Sequence, residues 1–132
     1  MILLSAQTAT AATANGIDNN LIKAIHQVET SGRLGPIEGD NGAALGPLQI
    51  HKAYHADSGI PGPYSQCADY DYSVRVFEAY MARYATVRRL GRKATAEDIA
   101  RLHNGGPRAI WATGQKKRNL DLYWSKVKKE LK

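Results

Sequence analysis

Residues 18–32 read DNNLIKAIHQVETSG, and the way apolar and charged positions interleave there decides the fold. Asp18 is a good N-cap, and Leu21, Ile22, Ile25 and Val28 recur at helical spacing, so a helix is predicted over about residues 18–30. Gly32, Gly35 and Pro36 stop it. At about 100° per residue with Leu21 at zero, Ile25 lies near 40°, Ile22 near 100° and Val28 near −20°. Glu29 falls at about 80°, inside this apolar stripe, while Lys23, His26, Gln27 and Thr30 fall on the far side.

That placement has a chemical consequence. A carboxylate among apolar side chains loses hydration, which favours its protonated form, and the negative end of the helix dipole pushes the same way. A protonated carboxylic acid held in a protein wall is what glycosidic-bond cleavage requires of its general acid. Periodicity also accommodates a last-turn glutamate that snorkels to water or bonds a loop amide, and taken alone it favours that structural role. A glycosidase needs a second carboxylate, or a replacement, across the scissile bond. Asp40, in Gly39-Asp40-Asn41-Gly42, is the candidate, with Glu38 competing; Asp-Asn-Gly is equally a common turn with no chemistry.

Outward from this helix, residues 32–46 hold five glycines, which excludes a helix and predicts a loop or small β-hairpin. Gly46-Pro47 is expected to open a second helix, with proline at its first position, running to about Ala56. Residues 57–70 read as loop. Asp71 or Ser73 caps a third helix carrying Val74, Phe77, Met81 and Tyr84 and ending near Val87. Thr95 to Asp98 has the form of a capping box, opening a helix with Ile99 and Leu102 that stops at Gly105-Gly106-Pro107. A last helix is predicted over about residues 119–130, with Leu120, Tyr123, Trp124 and Val127 inward. The expectation is one mainly α domain over residues 15–132, with about five helices and a short β-hairpin or loop excursion after the first.

Composition agrees with one globular domain: 132 residues, 43% hydrophobic and 23% charged. Cys67 is the only cysteine, so no intramolecular disulfide forms, and a lone cysteine is usually a small core residue. No metal-ligand spacing, P-loop or nucleotide fingerprint is present, and no cofactor is expected. The net charge of +6 is unevenly placed, with residues 88–132 holding thirteen Lys/Arg against four Asp/Glu. Such a basic half attracts polyanions without choosing among them. Residues 1–14 fit either a truncated signal remnant, with Ala12 and Ala14 in an A-x-A site, or a disordered tail. Nothing approaches the ~20 apolar residues of a membrane span.

Several segments, taken in order, resemble the lysozyme-like superfamily, most closely the invertebrate-type (destabilase) lysozymes and their bacterial relatives. They are Val28-Glu29-Thr30-Ser31-Gly32, Gly39-Asp40-Asn41-Gly42, Gly46-Pro47-Leu48-Gln49-Ile50, Ala100 through Pro107 (ARLHNGGP), and Tyr123-Trp124-Ser125-Lys126-Val127. Each is weak alone; the ordered set is specific, and it outweighs the structural role that periodicity alone favours for Glu29. The resemblance implies a lysozyme-like α+β fold, Glu29 as acid/base, and Asp40 as nucleophile or stabiliser of the cationic sugar transition state. It further implies that Gln49, His103 and Asn104 lie near the cleft, although His-Asn-Gly-Gly-Pro is also an ordinary helix stop. The chain departs from the family in its cysteine poverty. Ala43 and His51 stand where isopeptidase-active members carry Ser and Lys, so no isopeptidase activity is expected. The Asp40–Gly46 segment is about one residue shorter than the family's.

The expected function is therefore a muramidase, hydrolysing the β-1,4 bond between N-acetylmuramic acid and N-acetylglucosamine. Peptidoglycan glycan strands are the expected partner of a monomeric enzyme that is secreted, periplasmic or cell-wall-directed, a phage lysin included. A lytic transglycosylase, using Glu29 alone, is the alternative. A non-catalytic carbohydrate-binding module gains nothing from a partly buried acid. Nucleic acid is the least supported partner, since no RNA motif or recognition helix accompanies the basic residues.

Overall fold

In the computed structural model the described residues are 17–131; the expected signal remnant or tail at residues 1–14 lies outside them. Helix α1 (Asn19–Thr30) is capped by Asp18, whose carboxylate accepts the Asn20 N–H at 2.8 Å. It buries Leu21, Ile22 and Ile25, at roughly 1.5–3 kcal/mol each. It also buries Thr30, which the wheel puts on the solvent side. A turn from further along the chain covers that position, and the Thr30 hydroxyl donates to the Pro47 carbonyl at 2.9 Å.

The glycine-rich excursion is a three-stranded antiparallel sheet of very short strands, in the order β1 (Glu38–Gly39), β2 (Ala44–Leu45), β3 (Ile50–His51). Glu38 pairs with Leu45, and Ala44 with His51. A 3-10 turn, Asp40–Gly42, joins the first two strands.

The helix expected from Pro47 is corrected by the structure. Gly46-Pro47-Leu48-Gln49 is a turn, closed by the Gln49 N–H on the Gly46 carbonyl at 3.0 Å, and helix α2 (Lys52–Ser58) begins only after β3. Proline at the start of a helix is a local signal, and here long-range bonds overrule it. The Gln49 side-chain amide donates to the carbonyls of Ile37 (3.1 Å) and Gly46 (3.0 Å), holding the turn shut. Gly46 has φ +85°, and a Cβ there would lie 1.9 Å from the Cys67 carbonyl oxygen.

A 3-10 segment, Tyr64–Ala68, follows within the expected loop, and helix α3 (Tyr70–Tyr84) starts earlier than expected. Its cap is Asp69, accepting the Tyr72 N–H at 2.9 Å, not Asp71 or Ser73; Ser73 is fully buried and donates to the Tyr70 carbonyl. The inward face is Tyr72, Val76, Phe77, Tyr80 and Met81, with Val74 and Tyr84 only partly buried. A separate short helix, α4 (Val87–Leu90), is capped by Thr86 and has no counterpart among the expected helices.

Helix α5 (Ala96–Gly105) opens on the expected capping box: the Asp98 N–H meets Thr95 Oγ1 at 3.1 Å, and the Thr95 N–H meets Asp98 Oδ2 at 2.9 Å. Arg92 adds a two-pronged ion pair to the same carboxylate. Helix α6 (Gly114–Glu130) starts five residues before the expected 119, because its first turns are polar and exposed and leave no apolar period to read. Helices α1 and α5 both pack on α6, while α2 and α5 pack on α3. Ile25, Leu48, Ile50, Val76, Phe77, Leu102 and Val127 form the fully buried centre. Cys67 is free and buried among them, and burial pushes its thiol up to about 11, which suits packing rather than nucleophilic chemistry.

These contacts set measurable stabilities. Gly46→Ala forces a left-handed alanine against a backbone carbonyl, so urea unfolding should show a loss of at least about 3 kcal/mol. Burial pushes the Asp98 carboxyl up, but hydrogen bonds from Arg92 and Thr95 outweigh burial and hold it below the usual carboxylate range. Its contribution is therefore present above the unfolded value of about 4 and lost as pH falls through the lower folded value. The stability difference between the native chain and Asp98→Asn should stay level above about pH 4 and shrink below it.

Candidate active site

Glu29 stands in the last turn of α1, its side chain 15% exposed, facing α6 and α5. The Tyr123 hydroxyl of α6 donates to Glu29 Oε2 at 2.7 Å. Burial first, and then the Glu29 charge, push the Tyr123 phenol well above its ordinary value, so it remains an O–H donor.

His103 of α5 also faces this carboxylate, with Nε2 at 3.5 Å from Oε2. Its nearer partner is the Leu48 carbonyl, at 2.9 Å from the same nitrogen. A carbonyl only accepts, so Nε2 carries the hydrogen, and in the neutral ring Nδ1 accepts from the Tyr54 hydroxyl at 2.8 Å. Burial, followed by the charges of Tyr80 and Glu29, raises the Tyr54 phenol well above its usual value, which keeps it a donor. Tyr54 is itself stacked on Tyr80, with ring centroids 3.7 Å apart. The His103 side chain is 2% exposed and both ring nitrogens are engaged, leaving no free polar atom to turn toward a ligand.

Asp40 sits in a different environment. Its carboxylate is 69% exposed, and Oδ2 lies 2.9 Å from Nε2 of His51, the residue just before α2. Asp40 and Asn41 both take positive φ, 50° and 57°, so the backbone here is held in a form that few side chains adopt. The glycine before them is required by packing: a Cβ on Gly39 would lie 1.8 Å from Gln49 Oε1. Glu38, the competing carboxylate, is exposed on β1.

A cavity of about 230 Å³ lies beside these groups, lined by Gln49, His51, Tyr54, His103, Asn104 and Pro107 among others. Three residues expected from the sequence, Gln49, His103 and Asn104, thus come together on one wall. His51 links that wall to Asp40, and His103 links it to Glu29. Gln49 has both amide hydrogens committed to the turn. Asn104 is exposed, and its side-chain amide has no hydrogen-bond partner among the described residues. A second cavity of about 260 Å³, lined by Met81, Val87 and Ile99, holds Lys93 as its only titratable group and offers no acid/base pair.

Sequence reasoning missed Tyr123, Tyr54 and His51 as parts of this site. Tyr123 and Tyr54 carried one usable signal, a phenol at an inward helical position, since a buried hydroxyl needs a partner. The Leu48 carbonyl carried none.

The destabilase family model matches residues 18–130. The chain is 42% identical over 89 residues to lysozyme 1 of Crassostrea virginica, and the match covers 66% of this chain and 45% of that protein. It is 38% identical over 89 residues to a lysozyme of Ostrea edulis, covering 66% of this chain and 60% of the relative. The chain therefore spans about half the length of these relatives. The crystal structure of inhibitor-bound lysozyme from Meretrix lusoria superposes with a TM-score of 0.72 at 30% identity, covering 89% of this chain and 93% of that one. Lysozyme from Tapes japonica gives 0.71 at 27% identity, with the same two coverages.

The hydrogen-bond chain through His103 makes a stability prediction. Tyr54→Phe leaves a buried Nδ1 unsatisfied, so thermal unfolding should show a loss of about 1–3 kcal/mol, while ring ¹⁵N shifts in the native protein report hydrogen on Nε2.

Proposed function

The chain belongs to the destabilase family, and from that premise we propose that it is a lysozyme-type glycosidase acting on peptidoglycan. The bond cleaved is the β-1,4 link between N-acetylmuramic acid and N-acetylglucosamine. The observation that carries this reading is Glu29: a mostly enclosed carboxyl, anchored by Tyr123 and 3.5 Å from His103, which lines the cavity. Glu29 protonates the glycosidic oxygen as the C–O bond breaks, then takes a proton from water. Asp40, solvated and hydrogen-bonded to His51, is the second carboxyl, the one that meets the positive charge developing on the sugar. Asn104, with its uncommitted amide, is the sugar contact on the cavity wall; Gln49 and His103 line the same cavity with their polar hydrogens already committed within the protein.

The basic residues of the last third of the chain favour approach to an anionic cell wall. No helix among the described residues is long and apolar enough to cross a membrane. With that substrate, the enzyme acts as a monomer at the wall, whether secreted, periplasmic or delivered as a lysin.

One observation favours a second reading. Asp40 is exposed and already engaged by His51, and a lytic transglycosylase needs Glu29 alone.

Digestion of purified peptidoglycan by the native chain, Glu29→Gln and Asp40→Asn, with mass analysis of the sugar ends, tests both. Glu29→Gln should lose at least about a hundredfold in rate, and the native products should carry ordinary reducing ends. Full activity in Glu29→Gln would end both readings. Anhydro-sugar products with near-normal activity in Asp40→Asn would select the transglycosylase.

A further inference from the structure

We propose that Tyr123 is a positioning residue for the glycosidic cleavage: it holds Glu29 Oε2, so that the proton delivered to the substrate travels from Oε1. The inference rests on the reading of Glu29 as the general acid.

The two oxygens of Glu29 are not equivalent in this structure. Oε2 accepts the Tyr123 hydroxyl at 2.7 Å and has the Nε2–H edge of His103 at 3.5 Å, while Oε1 has no hydrogen-bond partner among the described residues. A carboxylic acid carries its proton on the oxygen that is not already accepting a strong bond, which leaves Oε1 as the hydroxyl oxygen. Tyr123 is buried and comes from the opposite helix, so it reaches the carboxyl from the protein side. Its ring is fixed in the α1–α6 interface, and a phenol loses little freedom in holding such a bond.

The same bond changes strength during the reaction. As the proton leaves Oε1 for the glycosidic oxygen, a new O–H bond forms, the sugar C–O bond breaks, and Glu29 becomes a carboxylate. A phenol donating to a carboxylate makes a stronger bond than one donating to a neutral acid. Tyr123 therefore stabilises the transition state more than the bound ground state, and its effect falls on kcat rather than on substrate affinity. Its raised phenol value means that it keeps its own proton throughout.

The test measures kcat and KM separately on a soluble, defined peptidoglycan fragment. Tyr123→Phe should lower kcat about tenfold to a hundredfold with KM within about twofold of native, the loss expected of one hydrogen bond to a charged group. Tyr123→4-fluorophenylalanine fills the hydroxyl's place without a donor and should show the same loss, so a folding defect in the Phe variant leaves the test readable. Tyr123→4-aminophenylalanine restores an N–H donor and should recover part of the rate. Unchanged kcat in the donor-free variants, or a raised KM with kcat intact, overturns the positioning role. A fully active Glu29→Gln fails the underlying reading instead, while an inactive Glu29→Gln beside a fully active Tyr123→Phe fails this inference alone.

Discussion

Two neighbouring carbonyls in the Gly46–Gln49 turn, those of Pro47 and Leu48, hold this structure in register. The Pro47 oxygen takes the buried Thr30 hydroxyl from the end of α1, and the Leu48 oxygen takes His103 from α5. The helix that carries Glu29 and the helix that carries His103 are thereby set against the same four residues. Each bond alone is modest, but a buried donor left without its acceptor is strongly destabilising, so the turn and both helices order together.

The turn is itself fixed by groups remote from it. Gln49 commits its amide hydrogens to Ile37 and Gly46, and Gly46 lets the Cys67 backbone approach where any side chain would collide. With Cys67 as the only cysteine, these polar staples do within a hydrophobic core what disulfides do in cysteine-rich domains. Leu48 serves both purposes at once, since its side chain is fully buried in the core while its carbonyl orients a histidine beside the candidate acid.

The two candidate carboxylates lie in opposite surroundings. Glu29 is enclosed between helices and gripped on one oxygen by a tyrosine, whereas Asp40 lies on a short left-handed turn in solvent with His51 beside it. The contrast is one of enclosure and partner: a buried phenol holds the first carboxyl, and a half-exposed imidazole meets the second.

The residues themselves determined a good deal of this. Asp18 and the Leu21, Ile22, Ile25 spacing specify α1; Thr95 and Asp98 specify the start of α5; and the position of Glu29 inside the apolar stripe marks it as unusual. These are signals carried within one or two helical turns, which is why they are legible in a linear chain. Gly46-Pro47 misled for the same reason, because a good local helix start was overruled by Gln49 bonds to Ile37, twelve residues away. The wheel could not foresee that Thr30 would be covered by Pro47, and α6 began in polar residues with no period to read. The partnership of Tyr123 with Glu29 spans 94 positions of chain, and that of His103 with Leu48 spans 55. Only the packing of α1 on α6, and of α5 against the Gly46–Gln49 turn, brings such groups together, because hydrogen-bond partners are chosen by distance in space, and the pattern of a single helix records only which of its faces turns inward.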